Sequence, residues 1–115
     1  MKYAFAAPIL PGKTEAAREF IRTVLGPRSA EWADFQQRQG VVQETYFLQE
    51  SPDGDMIIVS GEGDWIPPSE FIDPDNPFDQ WFVEQVREIN GFDVREFGAK
   101  PPDVLGEWQA PVPAA

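Results

Sequence analysis

Residues 41–63 read VVQETYFLQE-SPDG-DMIIVSGEG, two β-rich runs on either side of Ser51-Pro52-Asp53-Gly54. Proline presets φ at the second turn position, aspartate folds back on its own backbone, and glycine accepts positive φ. The stretch therefore predicts a β-hairpin, and the remaining elements are what is needed to cover it and extend its sheet.

Working outward, Lys2, Ala4 and Ala6 alternate with Tyr3, Phe5 and Ala7, which predicts a first strand over 2–8. The opening Met1-Lys2 and the apolar residues after it have a faint signal-peptide look. The run is short, however, and Pro11-Gly12 ends it without a small-residue cleavage site, so it reads as a strand. A broken helix is expected over 14–39, with Thr14 as N-cap and Gly26-Pro27 as the break. Ala17, Phe20, Ile21 and Val24 recur at helical spacing, Trp32 and Phe35 share a side of the second half, and Gly40 stops it. Residues 64–76 are loop-like, with room for one helical turn at 69–72. Asn76-Pro77 begins a helix over 77–90, with Asn as cap and Pro in the first position. Phe78, Trp81, Phe82, Val86 and Ile89 form its stripe, and Asn90-Gly91 ends it. A last strand is expected over 92–97. From Gly98 to Ala115 the proline-rich tail should run extended, with Trp108 anchoring it on a surface.

With 115 residues the chain is read as one domain. It contains neither cysteine nor histidine. That excludes disulfides, thiolate nucleophiles, a Ser-His-Asp triad and His-ligated haem, and leaves only all-oxygen metal sites. No metal or cofactor is expected. Net charge is −11, and residues 39–86 carry eleven acids and no base. So acidic a chain is a poor partner for nucleic acid or anionic membrane. No apolar run reaches the ~18 residues of a membrane span, and the expected location is the cytoplasm.

The order strand, broken helix, hairpin, helix, strand is βαββαβ. It predicts an α+β ferredoxin-like sandwich, a four-stranded antiparallel sheet with both helices on one face. Over residues 2–97 this order resembles the dimeric α+β-barrel superfamily, in which two such sheets pack face to face. PGKTEAAREFIRTVLGP (11–27), the hairpin and NPFDQWFVEQV (76–86) also resemble an uncharacterised bacterial branch of it. The resemblance implies a homodimer burying the open sheet face. Better-known relatives are cofactor-free monooxygenases, isomerases and haem-handling enzymes. Several of these use a histidine that this chain lacks, so those roles do not carry over.

The candidate chemistry depends on the hairpin register. A three-residue loop with a bulge at Gly54 pairs Ser51 with Asp55, Leu48 with Ile58, Tyr46 with Ser60 and Glu44 with Glu62. Two carboxylates directly opposite repel. If enclosed, one would hold its proton and serve as a general acid or base beside Tyr46. Glu44, Glu62 and Tyr46 are therefore the candidate catalytic residues. A four-residue loop shifts the register by one, so that Glu44 faces Gly61 and Glu62 faces Gln43. Trp32, Phe35, Ser60 and Trp65 are the candidate ligand-binding residues for a small apolar or aromatic molecule between sheet and helices; for the tryptophans the competing reading is core packing. Arg18, Arg22, Arg28 and Arg38 read as helix-surface partners of nearby acids. Three functions are weighed: a small-molecule-binding dimer, a cofactor-free isomerase or monooxygenase-like enzyme, and a non-catalytic self-associating protein.

Overall fold

The computed structural model describes residues 1–98 and 100–113. Ala99, Ala114 and Ala115, part of the expected tail, lie outside the described residues. Strand β1 (Lys2–Pro8) leads to helices α1 (Thr14–Leu25) and α2 (Ser29–Gln39). The hairpin strands β2 (Val41–Gln49) and β3 (Met56–Gly63) come next, then the single turn α3 (Pro68–Phe71) and helix α4 (Pro77–Asn90). The fold is α+β. Its antiparallel sheet has three strands in the order β1-β3-β2.

The fourth strand is the first correction. Residues 92–97 contain a short 3-10 turn, Val94–Glu96. The Asp93 carboxylate accepts from Arg95 N at 3.0 Å, so the local backbone is satisfied by a side chain rather than by a ladder. Phe92 and Phe97 stack at 5.4 Å, and Phe97 packs on Phe5 at 5.4 Å. These rings turn the segment under the sheet instead of along the edge of β1. Among the described residues a four-stranded ferredoxin-like sheet is therefore not formed.

The helix signals behave as their chemistry dictates. Asn76 Oδ1 accepts from Phe78 N at 2.9 Å and Asp79 N at 3.3 Å, capping α4. Gly40 and Gly91 end α2 and α4 in the left-handed region, at φ 80° and 81°. Thr14 is not a cap: its hydroxyl donates to Asp55 Oδ2 at 2.6 Å. The helical layer closes over one sheet face through aromatic packing. Trp32 and Phe35 stack at 5.3 Å, Phe35 meets Phe82 at 4.6 Å, and Phe20 stacks on Trp81 at 5.5 Å. Val24, Phe35 and Phe78 form one buried centre, and Ile9, Ala17 and Ile89 a second.

Two arginines are more than surface partners. Arg38 grips the fully buried Asp79 with both terminal nitrogens at 2.8 Å, and donates to Phe71 O at 3.0 Å. This fork joins α2, α3 and α4. The guanidinium of Arg28 lies 4.4 Å over Trp81 and 4.9 Å over Phe78. Arg18 and Arg22 do pair with Glu15 and Glu19 on α1, at 3.4 Å each, and Arg18 reaches Glu50 at 2.6 Å.

The second correction is to the three-residue-loop register and its Glu44–Glu62 pair; the hairpin takes the shifted register, in which Glu44 faces Gly61 and Glu62 faces Gln43. Gln49 pairs with Met56 and Tyr46 with Val59. Asp55 is drawn out of the ladder. Its carboxylate accepts from Ser51 N and Thr14 Oγ1, and its carbonyl from Ile9 N. Gly54 has positive φ, at 130°, as the turn reading expects, but the expected bulge does not form beside it. The irregularity lies instead at the far end, where Val42 is the extra residue between the Val41–Gly63 and Gln43–Glu62 pairs. A one-residue slip moves a whole set of side chains to the other face. Tyr46 and Leu48 therefore share a face with Val59 and Ile57, and Phe47 shares one with Ile58.

The helix-covered face carries three cross-strand rows: Tyr3–Gly61–Glu44, Phe5–Val59–Tyr46 and Ala7–Ile57–Leu48. The opposite face carries Ala4, Ala6, Ile58 and a half-exposed Phe47. From 101 to 113 the tail has no helix or strand. Trp108 is 80 % exposed, so it does not anchor the tail on this chain; Lys2 and Glu107 make an ion pair at 3.1 Å. Among the described residues no helix is long and apolar enough to cross a membrane.

Candidate functional site

Between the covered sheet face and the helices is a cavity of about 130 Å³. Its walls are apolar: Phe5, Val59, Ile57, Phe20, Phe82 and Val86 are among them. The sheet supplies its floor because alternate residues of β1, β2 and β3 point the same way. The helices supply its roof through the 3.6-residue stripe of α1 and α4.

Five of the seven expected site residues line this cavity: Glu44, Tyr46, Trp32, Phe35 and Trp65. Glu62 and Ser60 do not. The register places them on the opposite face, paired with Gln43 and Thr45, so the Glu44–Glu62 carboxylate pair is not formed. Neither Arg18 nor Arg22 holds Glu44 either; they serve the exposed acids of α1 and Glu50.

Glu44 is held by neutral donors instead. Tyr3 Oη donates to Oε2 at 2.5 Å, Tyr46 Oη to Oε1 at 2.7 Å, and Gln36 Nε2 to Oε1 at 2.6 Å. Gln36 Nε2 and Trp32 Nε1 each also donate to Tyr46 Oη at 3.2 Å. Tyr3 reaches Glu44 because the residue between them on β3 is Gly61. A Cβ there would lie 2.8 Å from Tyr3 Oη and would collide with the Gln43 carbonyl oxygen. Burial pushes the Tyr3 phenol well above its ordinary range, and the hydrogen bond to Glu44 adds to the shift. For Tyr46, burial again comes first and the Glu44 charge second. Both phenols are therefore fixed as neutral donors to the carboxylate.

Trp65 packs edge-on to Tyr3 at 5.3 Å and to Phe5 at 5.8 Å, while its Nε1 donates to Gly98 O at 3.2 Å. Phe35 is almost wholly buried, so its contribution is a wall held rigid by Trp32 and Phe82. Gln36 and Tyr3 were not among the expected site residues. Gln36 had a legible signal, since it lies one helical turn after Trp32 and shares its face. Tyr3 had none beyond its strand alternation, because its partner lies two strands away.

A carboxylate with two neutral phenols and a carboxamide, set in an apolar cavity, can accept hydrogen bonds from a guest or take a proton from one. Among the described residues no group of three or more carboxylates is placed to hold a metal ion. No protein-family model matches this chain, and no curated protein matches it.

Proposed function

We propose that this chain is a small-molecule-binding protein that takes an apolar or aromatic molecule between its sheet and its helices. The observation that supports this is the cavity itself: aromatic and aliphatic walls with a few convergent polar groups, Glu44, Tyr46 and Gln36, at one place. Ligand sites have that composition. A cavity on the order of 150 Å³ is enough to admit benzene, so a single ring is the right scale for about 130 Å³. The test is calorimetric titration of the full chain with toluene, repeated on Val86→Phe, which fills the cavity from α4. Saturable binding that Val86→Phe abolishes is the expected result. Absence of binding, or binding untouched by Val86→Phe, refutes the reading.

A second reading, a cofactor-free isomerase or oxygenase-like enzyme, is favoured by one specific feature. Glu44 is a carboxylate at the wall of an apolar cavity, where it can take a proton from a bound molecule. It predicts that Glu44→Gln abolishes turnover of a bound substrate while leaving its affinity within a few-fold. The same protein would work as a homodimer: the uncovered sheet face presents Ala4, Ala6, Ile58 and Phe47, and closed twofold pairing is the common way to remove such a surface.

A further inference from the structure

The hydrogen bonds around Glu44 leave an imbalance. Five polar hydrogens face the group: one each from Tyr3, Tyr46 and Trp32, and two from Gln36. All five are committed, to Glu44 or to Tyr46 Oη. What remains free is acceptor capacity. A carboxylate offers about four lone-pair sites, and Glu44 uses three of them. Gln36 Oε1 is buried and has no hydrogen-bond partner among the described residues. Turning the Gln36 carboxamide over does not cure this, because Oε1 would then face the Glu44 carboxylate. A buried orphan acceptor costs about 1–3 kcal/mol, so a guest that supplies a donor is favoured over one that does not.

Charge points the same way. Glu44 is held by neutral partners, and among the described residues no lysine or arginine lines the cavity. An anionic guest would meet a carboxylate with nothing to offset it. A cation would complete an ion pair with Glu44. The net charge of −11 adds a long-range bias in the same direction.

We infer that the cavity takes a small apolar molecule, of about one ring, that carries a protonated primary amine, with its ammonium set against Glu44 and Gln36 Oε1. Three N–H donors on one compact cation can meet the one free site on Glu44 and the two lone pairs of Gln36 Oε1. An alcohol or phenol brings one donor and no charge. This inference rests on the reading of the cavity as a ligand site, and the experiment separates the two.

Benzylamine, benzyl alcohol, toluene and benzoate share a ring and differ in the head group. Each is titrated calorimetrically into the full chain at neutral pH, where benzylamine is protonated. The expected order places benzylamine roughly tenfold or more ahead of toluene and benzyl alcohol, as a charge-assisted hydrogen bond requires, with benzoate weakest. Gln36→Leu and Glu44→Gln should each erase most of the benzylamine advantage over toluene. If toluene or benzyl alcohol binds as well as benzylamine, or if benzylamine keeps its advantage in both variants, the amine assignment is overturned while the cavity reading stands. If no member of the set binds, the cavity reading falls, and the amine assignment with it.

Discussion

Tyr3 on β1 and Glu44 on β2 are hydrogen-bonded across the full width of the sheet, 2.5 Å from Oη to Oε2, over the bare backbone of Gly61 on the strand between them. The bond ties both edge strands together on the covered face. It also places the carboxylate at the cavity wall. The absence of a side chain at residue 61 is what permits it.

Gly61→Ala should therefore destabilise the fold by about 1–3 kcal/mol, the usual cost of overpacking. The added methyl meets backbone at Gln43 as well as Tyr3 Oη, so it has no flexible neighbour to displace. Urea unfolding checks this: the midpoint should fall at unchanged slope. An unshifted midpoint would show that the strands can spread to accept the methyl.

Glu44→Gln replaces an acceptor of three donors with an amide that presents donors of its own. A loss of about 1–3 kcal/mol is expected at neutral pH. Had Glu44 opposed Glu62, the same change would have relieved repulsion and raised stability. The sign of the shift in Tm thus reports which register the hairpin adopts in solution.

The chain has two tyrosines, and both donate to Glu44. Both phenols are raised by burial and by Glu44, whereas in the unfolded chain they ionise near their usual ~10. Below about pH 10 both states keep the proton and this contribution to stability is complete. Above it the unfolded state ionises while the folded state does not, so stability falls as pH rises. Phenolate absorbance should stay absent from the native protein through about pH 10 and appear only together with loss of near-UV and far-UV dichroism. A phenolate step near pH 10 in the still-folded protein would contradict the site geometry.

Arg38→Ala leaves the Asp79 carboxylate fully buried without its fork. Breaking a buried pair from one side costs about 3–5 kcal/mol. Asp79→Asn added to Arg38→Ala should recover part of that loss, because the stranded charge is gone. Thermal melts of the two variants against wild type give the coupling. Equal stability of the single and double variants would show that water reaches Asp79 freely.

A homodimer through the uncovered face predicts a sedimenting mass of twice 13.0 kDa at micromolar concentration. Phe47→Lys, which puts a charge in the middle of that face, should return the monomer without loss of helicity. A wild-type monomer would end this assignment.

Local chemistry determined much of the chain without help from the fold. Asn76-Pro77 is a helix start wherever it stands, because a side-chain acceptor and a preset φ need no distant partner. Gly40 and Gly91 are helix stops for a similar reason. The two β-rich runs and the turn between them form a hairpin from their own residues, and the stripes of α1 and α4 name the face each helix buries. Register and site are of another kind. Asp55 leaves the ladder because Ile9 and Thr14, some forty residues earlier, bond to it. That single displacement decides that Glu44, rather than Phe47, faces the helices, and it separates Glu44 from Glu62 and Ser60. Residues 92–97 have the composition of a strand, yet they form a short 3-10 turn in which Asp93 accepts from Arg95 N and Phe97 packs on Phe5. Tyr3, Gly61, Glu44 and Gln36 come from four elements and have no common spacing. Only the closing of the sheet under α2 brings their polar atoms within hydrogen-bond reach, because that contact is set by tertiary packing and not by any local preference of the chain.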